Sequence, residues 1–142
     1  MPGHVLLCCF GAVDRDEVLH QAAALCSTTG AGLSVVVPIV DADVPDGCCG
    51  IQAQPWRRLL DEDTRDELRR ARRVLAQSGC HPVHASAELG RSVGSIVQAI
   101  GAAWGCDAVA VARPRPWSLG ARRRLEVLRR DLACEVIELP RH

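Results

Sequence analysis

The chain has 142 residues, a length that suits one domain (1–142) with a core of its own. Hydrophobic residues make up 48% and charged residues 24%, which excludes a disordered polymer. Lys+Arg 17 against Asp+Glu 17 leaves no whole-molecule field to attract nucleic acid or a membrane, so neither is expected as a partner. No basic-then-apolar leader is seen, and the longest apolar run, around 99–112, is broken by Gly105 and Asp107, so a cytoplasmic protein is expected.

In chain order, VLLCCF (5–10) reads as a short, fully apolar strand. Asp14 with Glu17 three residues later forms a helix start, stapled by Val13 and Val18. Val18, Leu19, Ala22, Leu25 and Cys26 then keep helical spacing as far as Gly30. LSVVVPIV (33–40) is a second buried strand, and 41–55 is loop by composition. A helix follows from about Trp56 to Gln77, with Leu60, Leu68, Ala71 and Leu75 on its buried side. Asp61/Arg65 and Asp66/Arg70 supply pairs one turn apart on the wet side, where RRARR (69–73) forms a solvated face.

VHASAEL (83–89) alternates, with Val83, Ala85, Ala87 and Leu89 on one face and His84, Ser86 and Glu88 on the other, as in a half-exposed edge strand. Ser92 caps a helix carrying Val93, Ile96, Val97, Ile100 and Trp104 and closed by Gly105. DAVAVA (107–112) has the continuous apolarity of a central parallel strand. Ser118 caps a last helix with Leu125, Leu128 and Leu132 inward, and EVIEL (135–139) is a fifth strand. Strands alternating with helices predict an α/β fold: an open, doubly wound, five-stranded parallel sheet with helices on both faces. A ligand in such a sheet sits beyond the carboxyl ends of the strands, where the winding reverses. That brings together Gly11, the end of the second strand and the loop after Ala112.

The eight cysteines show no CxxC spacing. Cys8 and Cys9 point to opposite faces of one strand, and Cys26, Cys106 and Cys134 read as small buried apolar residues. Cys48 and Cys49, in PDGCCGIQ, are the pair expected to be exposed, with thiol sensing as the alternative to an incidental role. His81 and His84, three apart on a strand, point to opposite faces, and His20 falls at a helix surface, so no metal is expected. Walker, dinucleotide, nucleophile-elbow and HExxH patterns are missing, and no catalytic residue is proposed from the sequence. Trp56, Trp104 and Trp117 are read as packing residues, Trp117 with the alternative of sheltering a ligand at the crevice mouth.

All the basic residues are Arg, so their number alone says little about phosphate binding. Their clustering says more. Between 113 and 130 stand Arg113, Arg115, Arg122, Arg123, Arg124, Arg129 and Arg130 against Glu126, a local balance of 7 − 1 = +6. Arg forks suit phosphate oxygens, but Pro114 and Pro116 each remove an amide donor from the loop.

The order VLLCCFGAVDRDEVLHQAAALCSTTGAGLSVVV, AELGRSVGSIVQAIGAAWGCDAVAVA and a closing helix before EVIEL resembles the universal stress protein family over nearly the whole chain. Most specific are Gly90 before a capped helix and Asp107 opening an apolar strand. The resemblance implies an adenine nucleotide alpha hydrolase-like fold and a homodimer through the C-terminal strand, with Val136, Ile137 and Leu139 at the contact. ATP-binding members carry an Asp ending the first strand, a backbone contact from the second, and a G-x-x-G loop followed after nine residues by Gly-Ser/Thr. Here those positions fall at Phe10, with only Gly11 kept behind it, at Pro38 or Ile39, at Ala112 and Arg115, and at Arg122 and Arg123. The loop is also shorter. The reading is a non-enzymatic, dimeric stress-response module with no cofactor and no usual ATP site. The alternative is a sensor of an anionic, nucleotide-like ligand through Gly11, Arg113, Arg115, Arg122 and Arg123, in the loop from Arg113 to Arg124.

Overall fold

Nine elements alternate along the chain in the computed structural model, which describes residues 3–9, 15–40 and 53–140, the side chains of 15 and 53–61 excepted. They are β1 (His4–Cys8), α1 (Arg15–Thr29), β2 (Gly32–Val40), α2 (Ala53–Gln77), β3 (Ala85–Gly90), α3 (Val93–Trp104), β4 (Ala108–Ala112), α4 (Leu119–Asp131) and β5 (Glu135–Leu139). The strands form one sheet in the order β3-β2-β1-β4-β5, and every neighbouring pair is parallel. The expected doubly wound sheet is therefore found, with β1 and β4 as the adjacent pair at its switch point.

Period-two alternation in the strands divides the core. Val5, Leu7, Leu33, Val35, Ala108 and Ala110 pack with α1 and α2 on one face. Leu6, Cys8, Val36, Val109 and Val111 pack with α3 and α4 on the other. Both faces of β1 are buried, which is why it has no polar position between Val5 and Cys8. As expected, Cys8 and Cys9 belong to opposite faces. Ala71 and Leu75 are buried in α2 with Leu68 half-buried, and the RRARR arginines flanking Ala71 are exposed.

The caps read from sequence at Ser92, Gly105 and Ser118 are present. Ser92 Oγ accepts from the Ser95 amide while Ser95 Oγ accepts from that of Ser92, a reciprocal pair that closes the start of α3. Gly105 ends α3 in the left-handed region at φ 68, where a Cβ is strained. Ser118 Oγ accepts from Ala121 N at 3.4 Å at the start of α4.

Three details differ from the sequence reading, and some others fall outside the described residues. Arg70 pairs with Asp16 of α1 at 2.8 Å instead of with Asp66, whose partner is Arg69 at 3.1 Å; a contact between helices takes the guanidinium from its own helix. Asp61 and Leu60 fall among the undescribed side chains, and the Asp14 cap with its Val13 staple lies outside the described residues. The alternation of 83–89 does not sort inside from outside: Val83 is 60% and Leu89 58% exposed while Glu88 is half-buried. An edge strand covered only in part by helices leaves both of its faces open. His81 and His84 precede β3, so strand geometry does not set their directions.

Candidate functional site

At the switch point, β1 ends at Cys8 and β4 at Ala112, and the loop 113–118 leads into α4. Phe10 and Gly11, one candidate wall of the crevice, lie outside the described residues, as do Cys48 and Cys49. The other wall is described. Arg113 N donates to Leu139 O at 2.9 Å, Ser118 N to Arg115 O at 3.0 Å, and Arg122 N to Ser118 O at 3.1 Å. These amides are turned into the protein's own backbone. Residues 114 and 116 are prolines and have none. Positive-φ glycines among the described residues are Gly30, Gly79 and Gly105, none of them in this loop.

The structure places the four candidate arginines along one loop and helix start. Arg113 is exposed where β4 ends, and the Arg115 guanidinium lies 5.5 Å from the centroid of the Trp117 ring. Arg122 reaches back so that Nη1 donates to Pro116 O at 3.3 Å, and Arg123 is exposed on the first turns of α4. Trp117 is not the packing residue it was read as: it is 74% exposed, and Leu119 beside it is 76% exposed. The physical reason is the turn closed by the bond from Ser118 N to Arg115 O, which has Pro116 and Trp117 as its central residues and puts residue 117 at the surface.

On the other side of the sheet's carboxyl end, Cys9, Leu19, Val37, Glu67, Arg70 and Ala71 line a cavity of about 10 Å³ between α1 and α2. That is room for about one water molecule. Val136 and Ile137 of β5 are half-buried, against opposite faces of the core, and Leu139 is buried within it.

Sequence reasoning missed a cluster at the amino end of the sheet. Ser34 is fully buried in an otherwise apolar strand; its Oγ shares a 2.7 Å hydrogen bond with His4 Nε2 and accepts from His84 N at 3.2 Å. The His84 ring stacks on Trp104 with centroids 4.9 Å apart. Asp107 accepts from Gly3 N at 2.8 Å and His4 N at 3.1 Å, and those two amides hold its carboxyl below the ordinary range. The available signal was Ser34 itself, since a polar residue inside a buried strand requires partners.

Burial raises the thiols of Cys8, Cys26, Cys80, Cys106 and Cys134, Cys26 and Cys106 to about 11. Raised values favour the thiol over the reactive thiolate. Among the described residues no group of three or more His, Cys, Asp or Glu side chains is arranged to hold a metal ion.

No protein-family model matches this chain, and no curated protein matches it in sequence. Solved structures do match. A protein of the universal stress protein family from Burkholderia pseudomallei superposes with a TM-score of 0.76 at 18% identity, over 98% of this chain and 96% of its own. A universal stress protein in complex with cAMP gives 0.70 at 10% identity, over 98% and 97%. The universal stress protein from Archaeoglobus fulgidus in complex with dAMP gives 0.63 at 11% identity, over 95% of each chain. The fold is an α/β doubly wound sheet, and it is the fold of the universal stress proteins. No helix of the described residues is long and apolar enough to cross a membrane.

Proposed function

We propose that this chain is a universal stress protein-like regulatory module that acts as a dimer, catalyses no reaction and does not hold ATP in the usual way. The observation that carries the reading is the state of the loop 113–118: two residues have no amide N–H, and the amides of Arg113 and Ser118 are bonded to the chain's own carbonyls. A phosphate cradle works by aiming several free backbone N–H groups at one anion.

The dimer is supported by β5, which ends the sheet with one side unpaired. Leu139 O faces β4, so in a regular strand the backbone of Val136 and Glu138 faces outward. Pairing through that edge uses the backbone more than the side chain of Leu139, which is buried in its own core. Light scattering on the purified protein tests this: twice the chain mass is expected. Val136→Pro, which removes an outward amide and spares the ladder to β4, is expected to give monomers that remain folded. Wild-type protein running as a monomer at micromolar concentration contradicts the dimer.

A second reading keeps the crevice as an anion sensor through Arg113, Arg115, Arg122 and Arg123. It is favoured by the basic loop standing at the switch point and by two similarly folded proteins solved with cAMP and dAMP. Thermal denaturation with ATP, AMP and cyclic AMP separates the two readings. No shift at millimolar ligand favours the module without a nucleotide, and a shift abolished by Arg113→Ala with Arg115→Ala favours the sensor.

A further inference from the structure

The start of α4 carries an exposed apolar pair, Trp117 and Leu119, among arginines that the sensor reading also uses. Trp117 and Leu119 are more than two-thirds exposed and two residues apart. Leu119, Arg122 and Arg123 lie three and four positions apart and so share one helix face. Arg115 stands over one face of the Trp117 ring, and Arg122 reaches back to the Pro116 carbonyl. The result is an exposed apolar pair set among arginines, in a segment whose formal balance is +6 before Glu138 and Asp131 pair with Arg129 and Arg130. A neutral molecule with one such region is electrically lopsided: it is attracted to anionic surfaces in one orientation, even though its net charge gives no attraction.

We infer that this patch is a peripheral docking site for an anionic lipid surface, with Trp117 and Leu119 entering the interface and the arginines meeting the headgroups. Three observations favour that occupant. The patch is positively charged, which selects a negative partner. Its two apolar side chains are 74% and 76% exposed, which suits a flat and deformable surface better than a peptide in need of a groove. Leu119 has nothing to offer a base or a phosphate but everything to offer an acyl boundary, and a single Trp is a poor platform for a strand of nucleic acid, which stacks successive bases on several aromatics. Two signals side by side, apolar insertion and clustered charge, are the combination that makes reversible membrane attachment stable. Arg115, Arg122 and Arg123 are shared with the sensor reading, and Leu119, which that reading does not use, distinguishes the two.

Vesicle sedimentation with the full chain tests it, using phosphatidylglycerol mixed with phosphatidylcholine against phosphatidylcholine alone. Sedimentation with the anionic vesicles only, weakening as salt is raised, is the expected result. Trp117→Ala with Leu119→Ala, and separately Arg122→Ala with Arg123→Ala, are each expected to lower the partition coefficient about tenfold. Arg72→Ala with Arg73→Ala, on the exposed face of α2, leaves it unchanged. Circular dichroism checks that the variants stay folded, which the exposure of every changed residue leads one to expect. Equal sedimentation with both vesicle types, or none with either, overturns the inference. So does retention of the double apolar variant at wild-type level. A single-stranded oligonucleotide bound in place of vesicles would reassign the patch to nucleic acid, and a dimer that dissociates in the Trp117→Ala, Leu119→Ala variant would reassign it to a second copy.

Discussion

Gly90 shows how one missing side chain fixes the meeting of two elements. A Cβ built there falls 2.5 Å from Ile96 Cγ1, and Ile96 is buried in the α3–α4 core with little freedom to move. Gly90→Ala is therefore expected to cost about 1–3 kcal/mol through overpacking, read as a lower urea midpoint. An unchanged midpoint would mean that β3 and α3 can separate without loss. Asp107 acts at the same scale and with opposite chemistry. The amides of Gly3 and then His4 stabilise its carboxylate, so its folded pKa lies below its unfolded one. The stability it confers is present above the unfolded value of about 3.9 and is lost as pH falls through the lower folded value. Asp107→Asn is expected to flatten the acid limb of a stability–pH curve below about pH 4 while leaving the neutral limb parallel to wild type. A wild-type acid limb in that variant would assign the effect to another carboxylate.

Elements were legible where a local chemical event ends them. Ser92, Gly105 and Ser118 mark helix boundaries because a cap is a contact within one turn of chain, and sequence order alone brings its partners together. Ser92→Ala, which removes the side-chain half of the reciprocal pair and leaves the Ser92 amide still donating to Ser95 Oγ, is expected to lower stability by about 1 kcal/mol. The matching change at Ser118, whose bond to Ala121 is longer, is expected to cost less; equal losses would separate cap strength from bond length. The edge strand β3 was legible as an edge but not in its facing. Alternation predicts inside and outside only when one face is fully covered, and here both are half-covered. Trp117 was misread for a related reason. An aromatic is normally buried, and what exposes this one is the turn from Arg115 to Ser118 with helix α4 starting directly behind it. Asp107 and Gly90 stood out as motif residues, but their work depends on Gly3 and Ile96; the Gly3 partner is 104 positions from Asp107 in the chain.

At the scale of the molecule, the two apolar clusters on either side of β1 and the strand order fix where a ligand crevice belongs and leave its chemistry to the loops. Leu6→Ala is expected to cost about 2–5 kcal/mol, since it opens the α3–α4 side of a central strand buried on both faces. What the fold does not decide is whether the crevice still takes a nucleotide. The proposed module has two prolines in its loop and the amides of Arg113 and Ser118 bonded to the chain's own carbonyls, which leaves side-chain charge as the main attraction for a phosphate. Calorimetric titration of the purified protein with ATP tests that claim most directly. The account predicts no binding heat at millimolar ATP. Micromolar binding that disappears when Arg113 and Arg115 are both changed to Ala would contradict it, and would mean that guanidinium groups have replaced the backbone cradle.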